Sequence, residues 1–291
     1  MRLLPGWLTL CSNSDHRRNC RSSRAVSQRW SLLAAVGLLL ASHSACARIL
    51  RTRSSASSTW SPWSAIVIGS GLEFQADSKE SESDYPLLLE YNFTERLKLS
   101  LEPNFVYIAA RTRDARTVGG LGDLETSVEY EFLRERRYRP ALSAQGVIKW
   151  PTASDPDLGT PGHDYSLGLI ASKDFVYFDT DLNILYTFVG DPAQSSNLQV
   201  ALAAEWHLNH RFDVIAEVVT TIGGGGVRGR PGALTGLGSA TESDGTRNET
   251  EGTLGLAWHA NKYLKFEQGV IYKSDHSWQL AVAWEWSFGG E

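Results

Sequence analysis

The sequence predicts an all-β protein: a single antiparallel transmembrane β-barrel of about 12 strands. Three observations carry this expectation. Apolar and polar residues alternate with period two in segment after segment beyond residue 64. The connections between segments are alternately short and long. Tryptophans gather at segment ends. Successive side chains of a strand point to opposite faces, so this alternation suits a wall with lipid outside and a polar interior.

Composition agrees by exclusion. The 291 residues carry a net charge of −5 and 21% charged side chains, which leaves no basic face for nucleic acid. No run of 18 or more apolar residues is present, so a spanning helix is not expected; alternating strands pass unseen through that test. At the front, Arg17, Arg18, Arg21, Arg24 and Arg29 precede an apolar run from Leu32 to Ala41, and Ala45-Cys46-Ala47 offers small residues for cleavage. Residues 1–47 therefore read as a signal peptide (1–25 as an extension upstream of the true start), 48–64 as a short tail and 65–291 as the barrel. Cys11, Cys20 and Cys46 all precede the expected cleavage. The mature chain would hold no disulfide, thiolate metal site or cysteine nucleophile.

The strands follow in order. The first, about 65–76, sets Ile66, Ile68, Ser70, Leu72 and Phe74 on one face. The second, about 84–93, sets Tyr85, Leu87, Leu89, Tyr91 and Phe93 against Glu90 and Asn92. The third, about 97–109, is interrupted by Pro103, which lacks a donor and is expected to mark a bulge. In the fourth, Leu124, Thr126, Val128, Tyr130 and Phe132 alternate with Glu125, Ser127, Glu129 and Glu131. The fifth (140–151), sixth (163–173) and seventh (176–188) continue the rule, the seventh setting Leu182, Ile184 and Tyr186 against Asp179, Asp181 and Asn183. The eighth (197–207), ninth (211–221), tenth (251–259) and eleventh (263–273) lead to the closing segment, in which Leu280, Val282, Trp284, Trp286 and Phe288 share one parity.

Thr94-Glu95-Arg96, Leu208-Asn209-His210 and Ala260-Asn261-Lys262 are short connections of one phase, joined by a brief one near Asp174. Those of the other phase are longer: 77–83, 110–123, 152–162, 189–196 and 222–250, with two exceptions, Arg134–Arg139 being slightly long for a turn and Lys273–His276 short for a loop. Short turns on the periplasmic side and long loops outside match an outer-membrane barrel. Trp150, Trp206, Trp258, Trp278 and Trp286 lie at or near strand ends, where an amphipathic ring suits the membrane interface.

One stretch adds a resemblance. Gly120-Leu121-Gly122-Asp123-Leu124, Lys149-Trp150-Pro151-Thr152, Leu158-Gly159-Thr160, Asp164-Tyr165-Ser166-Leu167-Gly168-Leu169, Ser172-Lys173-Asp174 and Leu185-Tyr186-Thr187-Phe188-Val189-Gly190 follow one another over 70 residues. Their order resembles the outer-membrane barrel family named after the meta-pathway of phenol degradation. Lys149-Trp150-Pro151-Thr152 departs from that family's more usual Phe or Leu before proline. The resemblance implies a transporter-like barrel passing hydrophobic or aromatic compounds, and it brings no binding residues with it.

The candidate lumen-lining residues follow from parity alone: Glu73, Glu90, Glu102, Glu125, Glu129, Glu131, Lys149, Asp179, Asp181, Glu205, Glu217, Lys265, Glu267 and Glu285, with Lys98 as a further inward lysine. A water-filled acidic lining favours cations or neutral solutes; the alternative is that the carboxylates pair with lysines and arginines and fill the interior. No catalytic residue, cofactor or metal site is expected. His207 and His210 would bind a metal only with further ligands. His163-Asp164-Tyr165-Ser166 has the residue types of a hydrolase triad, but neighbours on one strand face opposite ways. The expected function is passage of a small, hydrophobic or aromatic molecule through the bacterial outer membrane. A non-transporting barrel using its 222–250 loop is the alternative, and a membrane lipase a more distant one. The expected partners are outer-membrane lipid, the small-molecule solute and, through the C-terminal strand, the barrel-assembly machinery.

Overall fold

The computed structural model describes residues 65–77, 80–112, 116–192, 194–223 and 248–288. The expected signal peptide and tail, and 224–247 of the longest connection, lie outside the described residues. The strands are β1 (Ile66–Ala76), β2 (Glu80–Asn92), β3 in two segments (Leu97–Glu102 and Asn104–Ala110) and β4 in two (Val118–Leu121 and Leu124–Leu133). They continue as β5 (Ala141–Trp150), β6 (Asp164–Asp174), β7 (Phe178–Phe188), β8 (Asn197–Asn209), β9 (Phe212–Gly223), β10 (Glu249–His259), β11 (Leu264–Lys273) and β12 (Trp278–Phe288).

Each strand pairs antiparallel with the next, and β12 pairs back onto β1 from Ile66↔Phe288 to Gln75↔Gln279. The result is a closed 12-strand barrel. Closure leaves no strand edge, so the backbone of every wall strand has a partner on both sides, as hydrocarbon requires.

The outward side chains are exposed or half-exposed, with Val128, Tyr130, Leu167, Leu169, Leu182, Leu202, Leu254 and Leu280 among the exposed ones. Aromatic rings collect at the two ends of this band. Phe178 stacks on Trp206 and Trp258 on Phe266 near the short turns. Tyr85 with Phe105, Tyr186 with Phe188 and Tyr272 with Trp278 lie toward the long loops. Two aromatic belts flanking an apolar band are what a barrel wall needs at the two headgroup layers.

The short turns are built by side chains that replace missing backbone partners. Thr94 Oγ1 accepts from the amides of Arg96 and Leu97, Asn209 Oδ1 from Arg211, and Asn261 Oδ1 from Tyr263 and Leu264. Such local bonds turn a chain within three or four residues. Beside the first of these turns, the Arg134 guanidinium hydrogen-bonds the Glu95 carboxyl and holds it below the usual carboxylate range.

Two details differ from the sequence expectation. The irregularity expected at Pro103 falls on β4 instead. Register with β2 is kept across the proline, Leu89↔Leu101 on one side and Pro86↔Asn104 on the other, and the Pro103 carbonyl accepts from Leu87 N at 2.9 Å. On the other edge Glu102↔Glu125 is followed by Phe105↔Leu121. Three residues of β4 (Gly122, Asp123, Leu124) therefore oppose two of β3, a bulge at Gly122-Asp123. The second difference is length. β2 starts at Glu80 and β4 at Val118, so the connections expected at 77–83 and 110–123 shorten to 77–79 and 111–117. Glu80-Ser81-Glu82-Ser83 is polar at both parities and Val118-Gly119-Gly120-Leu121 alternates poorly, so neither segment carried the lipid-facing signal.

An arginine on the outer face near mid-bilayer should cost about 2–4 kcal/mol. Val128→Arg is expected to lower the urea-unfolding free energy of the lipid-inserted barrel by that amount. Its inward neighbour Ser127, replaced by alanine, should change it by much less.

Candidate functional site: an acidic lumen and an inward-folded loop

The inner wall is built from the alternate parity. Glu90, Glu102, Glu125, Glu129, Glu131, Lys149, Asp179, Asp181, Glu205, Glu217 and Glu267 are buried there, and Glu73, Lys265 and Glu285 are half-buried. The structure adds Asp84, Asp123, Asp164, Asp213 and Lys273 to the same side. The signal for Asp213 was present in the sequence, two residues before inward Ile215 and four before Glu217. Lys273 shares the parity of Lys265 and Glu267. Asp123 was hidden because it sits in the bulge, where parity fails.

Each inward lysine is bracketed by acids or amides. Lys98 Nζ lies 2.6 Å from Glu129 Oε2 and 3.9 Å from Glu90 Oε2. Lys265 Nζ is 2.9 Å from Glu205 and 2.8 Å from Glu267. Lys273 Nζ donates to Gln75 Oε1 at 3.0 Å. Even so, carboxylates far outnumber lysines among the described inner-wall residues. Taking charge out of water is costly unless opposite charge comes with it, which fits the placement of each of these lysines beside acids or amides. Two apolar zones interrupt the wall: Ile215, Ala257, Ile271 and Ala281 on β9–β12, and Val106, Ile108 and Val118 on β3 and β4.

The second zone receives a loop. Between β5 and β6, residues 151–163 fold back over the inner wall, and Leu158, 3% exposed, packs on Val106, Ile108 and Val118 with Ala153 beside it. Asp123 holds the loop from below: Oδ1 accepts from Ala153 N at 3.1 Å and Oδ2 from Thr160 N at 2.9 Å. Lys149 Nζ sits 2.8 Å from Asp164 Oδ2 and 3.5 Å from Asp123 Oδ2, and also donates to Thr160 Oγ1. Asp164 Oδ1 in turn accepts from Gly190 N at 2.8 Å, drawing in the next long loop. Thr152 Oγ1 accepts from Leu124 N, and Ser154 N donates to the Leu121 carbonyl.

Close approach explains the glycines here. A Cβ on Gly159 would strike Ala153 and the Asp123 carboxylate, and one on Gly190 would strike the His163 carbonyl. Most segments quoted above for their resemblance, separated by up to 70 residues, thus meet around Asp123 and Lys149. Ser172-Lys173-Asp174 is the exception: Lys173 pairs with Glu135 by the short turn after β4.

The remaining sequence candidates resolve clearly. His163 faces outward against the rings of Trp150 and Tyr165 while Ser166 is buried inward, hydrogen-bonded to Thr187 at 2.8 Å, so no hydrolase triad forms from that tetrad. His207 Nδ1 meets Asp213 Oδ1 at 3.1 Å.

No protein-family model matches the sequence, that of the phenol meta-pathway barrels included, and no curated protein matches it. Solved structures do share the fold. An outer-membrane channel from Pseudomonas putida F1 superposes with a TM-score of 0.61 at 12% identity, over 80% of this chain and 98% of that one. The KdgM porin, solved in complex with disordered oligogalacturonate, gives 0.50 at 12% identity over 75% and 99%. The NanC porin gives 0.51 at 11% identity over 75% and 98%. At these identities the likeness is one of fold.

Removing the Asp123 carboxylate leaves two loop amides without their acceptor, each worth about 1–3 kcal/mol when buried. Asp123→Ala is expected to raise hydrogen exchange at Ala153 and Thr160 by at least about tenfold, with strand amides of β8–β11 unchanged. Unaltered protection at those two amides would mean that Asp123 does not hold the loop.

Proposed function

We propose that the protein is a gated outer-membrane channel that passes small cationic or neutral solutes, including compounds with a hydrophobic or aromatic body. The observation that carries this reading is the excess of inward carboxylates over lysines. A water-filled lining of this composition favours cations and neutral solutes over anions. The apolar zones at Ile215–Ala281 and Val106–Val118 give an uncharged body something to slide against. The loop over 151–163 lies across the lumen side of β3 and β4 and acts as the constriction. An acidic wall is the wrong sign for a polyanion such as the oligogalacturonate bound by KdgM, so the cargo differs from that porin's.

The β12 strand, ending on Trp284, Trp286 and Phe288, closes the ladder against β1. It is the segment through which assembly machinery would seat the barrel, with outer-membrane lipid as the partner of the outer face.

One observation favours a second reading. The inner side chains are very well covered, Glu129 and Asp181 at 1% exposure. A permanently filled barrel would act as a structural or surface-interaction protein.

Planar-bilayer recordings of the full-length refolded protein separate the two. A channel gives ohmic steps with cation preference under a salt gradient, and Glu129→Lys combined with Glu131→Lys moves the reversal potential toward anions. Silence at all voltages, including after Asp123→Ala, would establish the filled barrel.

A further inference from the structure

We propose that the short-turn mouth of the lumen is a binding site for a single divalent transition-metal ion of the zinc class, held by His207, Asp213 and His259 with Glu205 as fourth ligand. The four residues come from three adjacent strands and share the inward side. Register sets His207 of β8 opposite Asp213 of β9, Asp213 opposite Ala257 of β10, and His259 two residues beyond Ala257. Glu205 lies two residues before His207 on the same parity.

The side chains converge. His207 Nδ1 is 3.1 Å from Asp213 Oδ1, and His259 Nε2 meets the other oxygen, Oδ2, of the same carboxylate. One ligand atom each from Glu205, Asp213 and His259 lie within 4.8 Å of one another. A tetrahedral ion with bonds of about 2.0–2.1 Å needs ligand atoms roughly 3.3 Å apart, which rotamer adjustments supply here. Asp213 and Glu205 are buried, whereas both imidazoles are half-open toward the short-turn end, which leaves an entry path.

The donor set selects the ion. Two imidazoles with carboxylates suit zinc, nickel or copper, while calcium and magnesium call for oxygen ligands alone. An acid lining by itself has no use for two imidazoles on different strands aimed at one carboxylate. The surroundings supply the rest: Asp179 Oδ1 lies 3.5 Å from His207 Nε2, placed to orient that ring from behind. Lys265 bridges Glu205 and Glu267 from the far side. Its ammonium opposes a metal ion at Glu205, and this opposition yields a prediction that a hydrogen-bonded network alone does not make.

The test is calorimetric titration of zinc chloride into the full-length, untagged, chelator-stripped protein in detergent micelles, with cobalt absorption spectra as a second readout. The expected result is one ion per barrel and a tetrahedral cobalt spectrum. His207→Gln and His259→Gln should each weaken binding by at least about tenfold. His163→Gln, on the outer face, should leave it unchanged, and Lys265→Gln should tighten it. Circular dichroism confirms that each variant retains its strands. Absence of saturable binding, or zinc binding indifferent to both His207→Gln and His259→Gln, overturns the proposal and leaves a metal-free His–Asp–His network. Neither readout requires conductance, so the site and the channel reading can fail separately.

Discussion

The pairing of β12 with β1 is the contact on which the rest depends. Ten register pairs run from Ile66↔Phe288 to Gln75↔Gln279, and they turn a sheet into a cylinder. In hydrocarbon an open edge would leave a row of amides and carbonyls with no partner, each costing several kcal/mol. Closure also defines an inside. Without it the carboxylates of β2, β4, β7 and β8 would have no common space to share.

Once the inside exists, its chemistry is a problem of charge. The wall concentrates Glu, Asp and few Lys, and three lysines are placed between acids that would otherwise repel one another: Lys98 between Glu129 and Glu90, Lys265 between Glu205 and Glu267, Lys149 between Asp164 and Asp123. Most of these pairs join neighbouring strands, and Lys265–Glu205 reaches from β11 to β8 across the interior. They brace the barrel from within, and among the described residues of the inner wall carboxylates outnumber lysines.

The bulge at Gly122-Asp123 links the wall to the loop. One extra residue in β4 removes Asp123 from strict alternation and sets its carboxylate beneath the 151–163 segment, where it collects two amides and the Lys149 ammonium. Leu158 then supplies an apolar anchor on Val106 and Ile108. A defect in one hydrogen-bond ladder thereby positions the loop that packs on the inner wall.

The sequence alone determined the strand count and the direction of nearly every side chain, because a two-residue period and a lipid boundary act locally on each strand. Glu129 and Val128 are assigned to opposite faces by their neighbours alone. It also exposed the segments that later proved to meet, Gly120–Leu124, Lys149–Thr152 and Leu158–Thr160, without showing that they meet. Only the tertiary structure decided that. Convergence across the cylinder depends on shear and closure, which no local pattern encodes, and bulges break parity where it matters most. The same reason sets His207 beside Asp213 and His259. Cross-strand register, rather than spacing along the chain, chooses which side chains share a site.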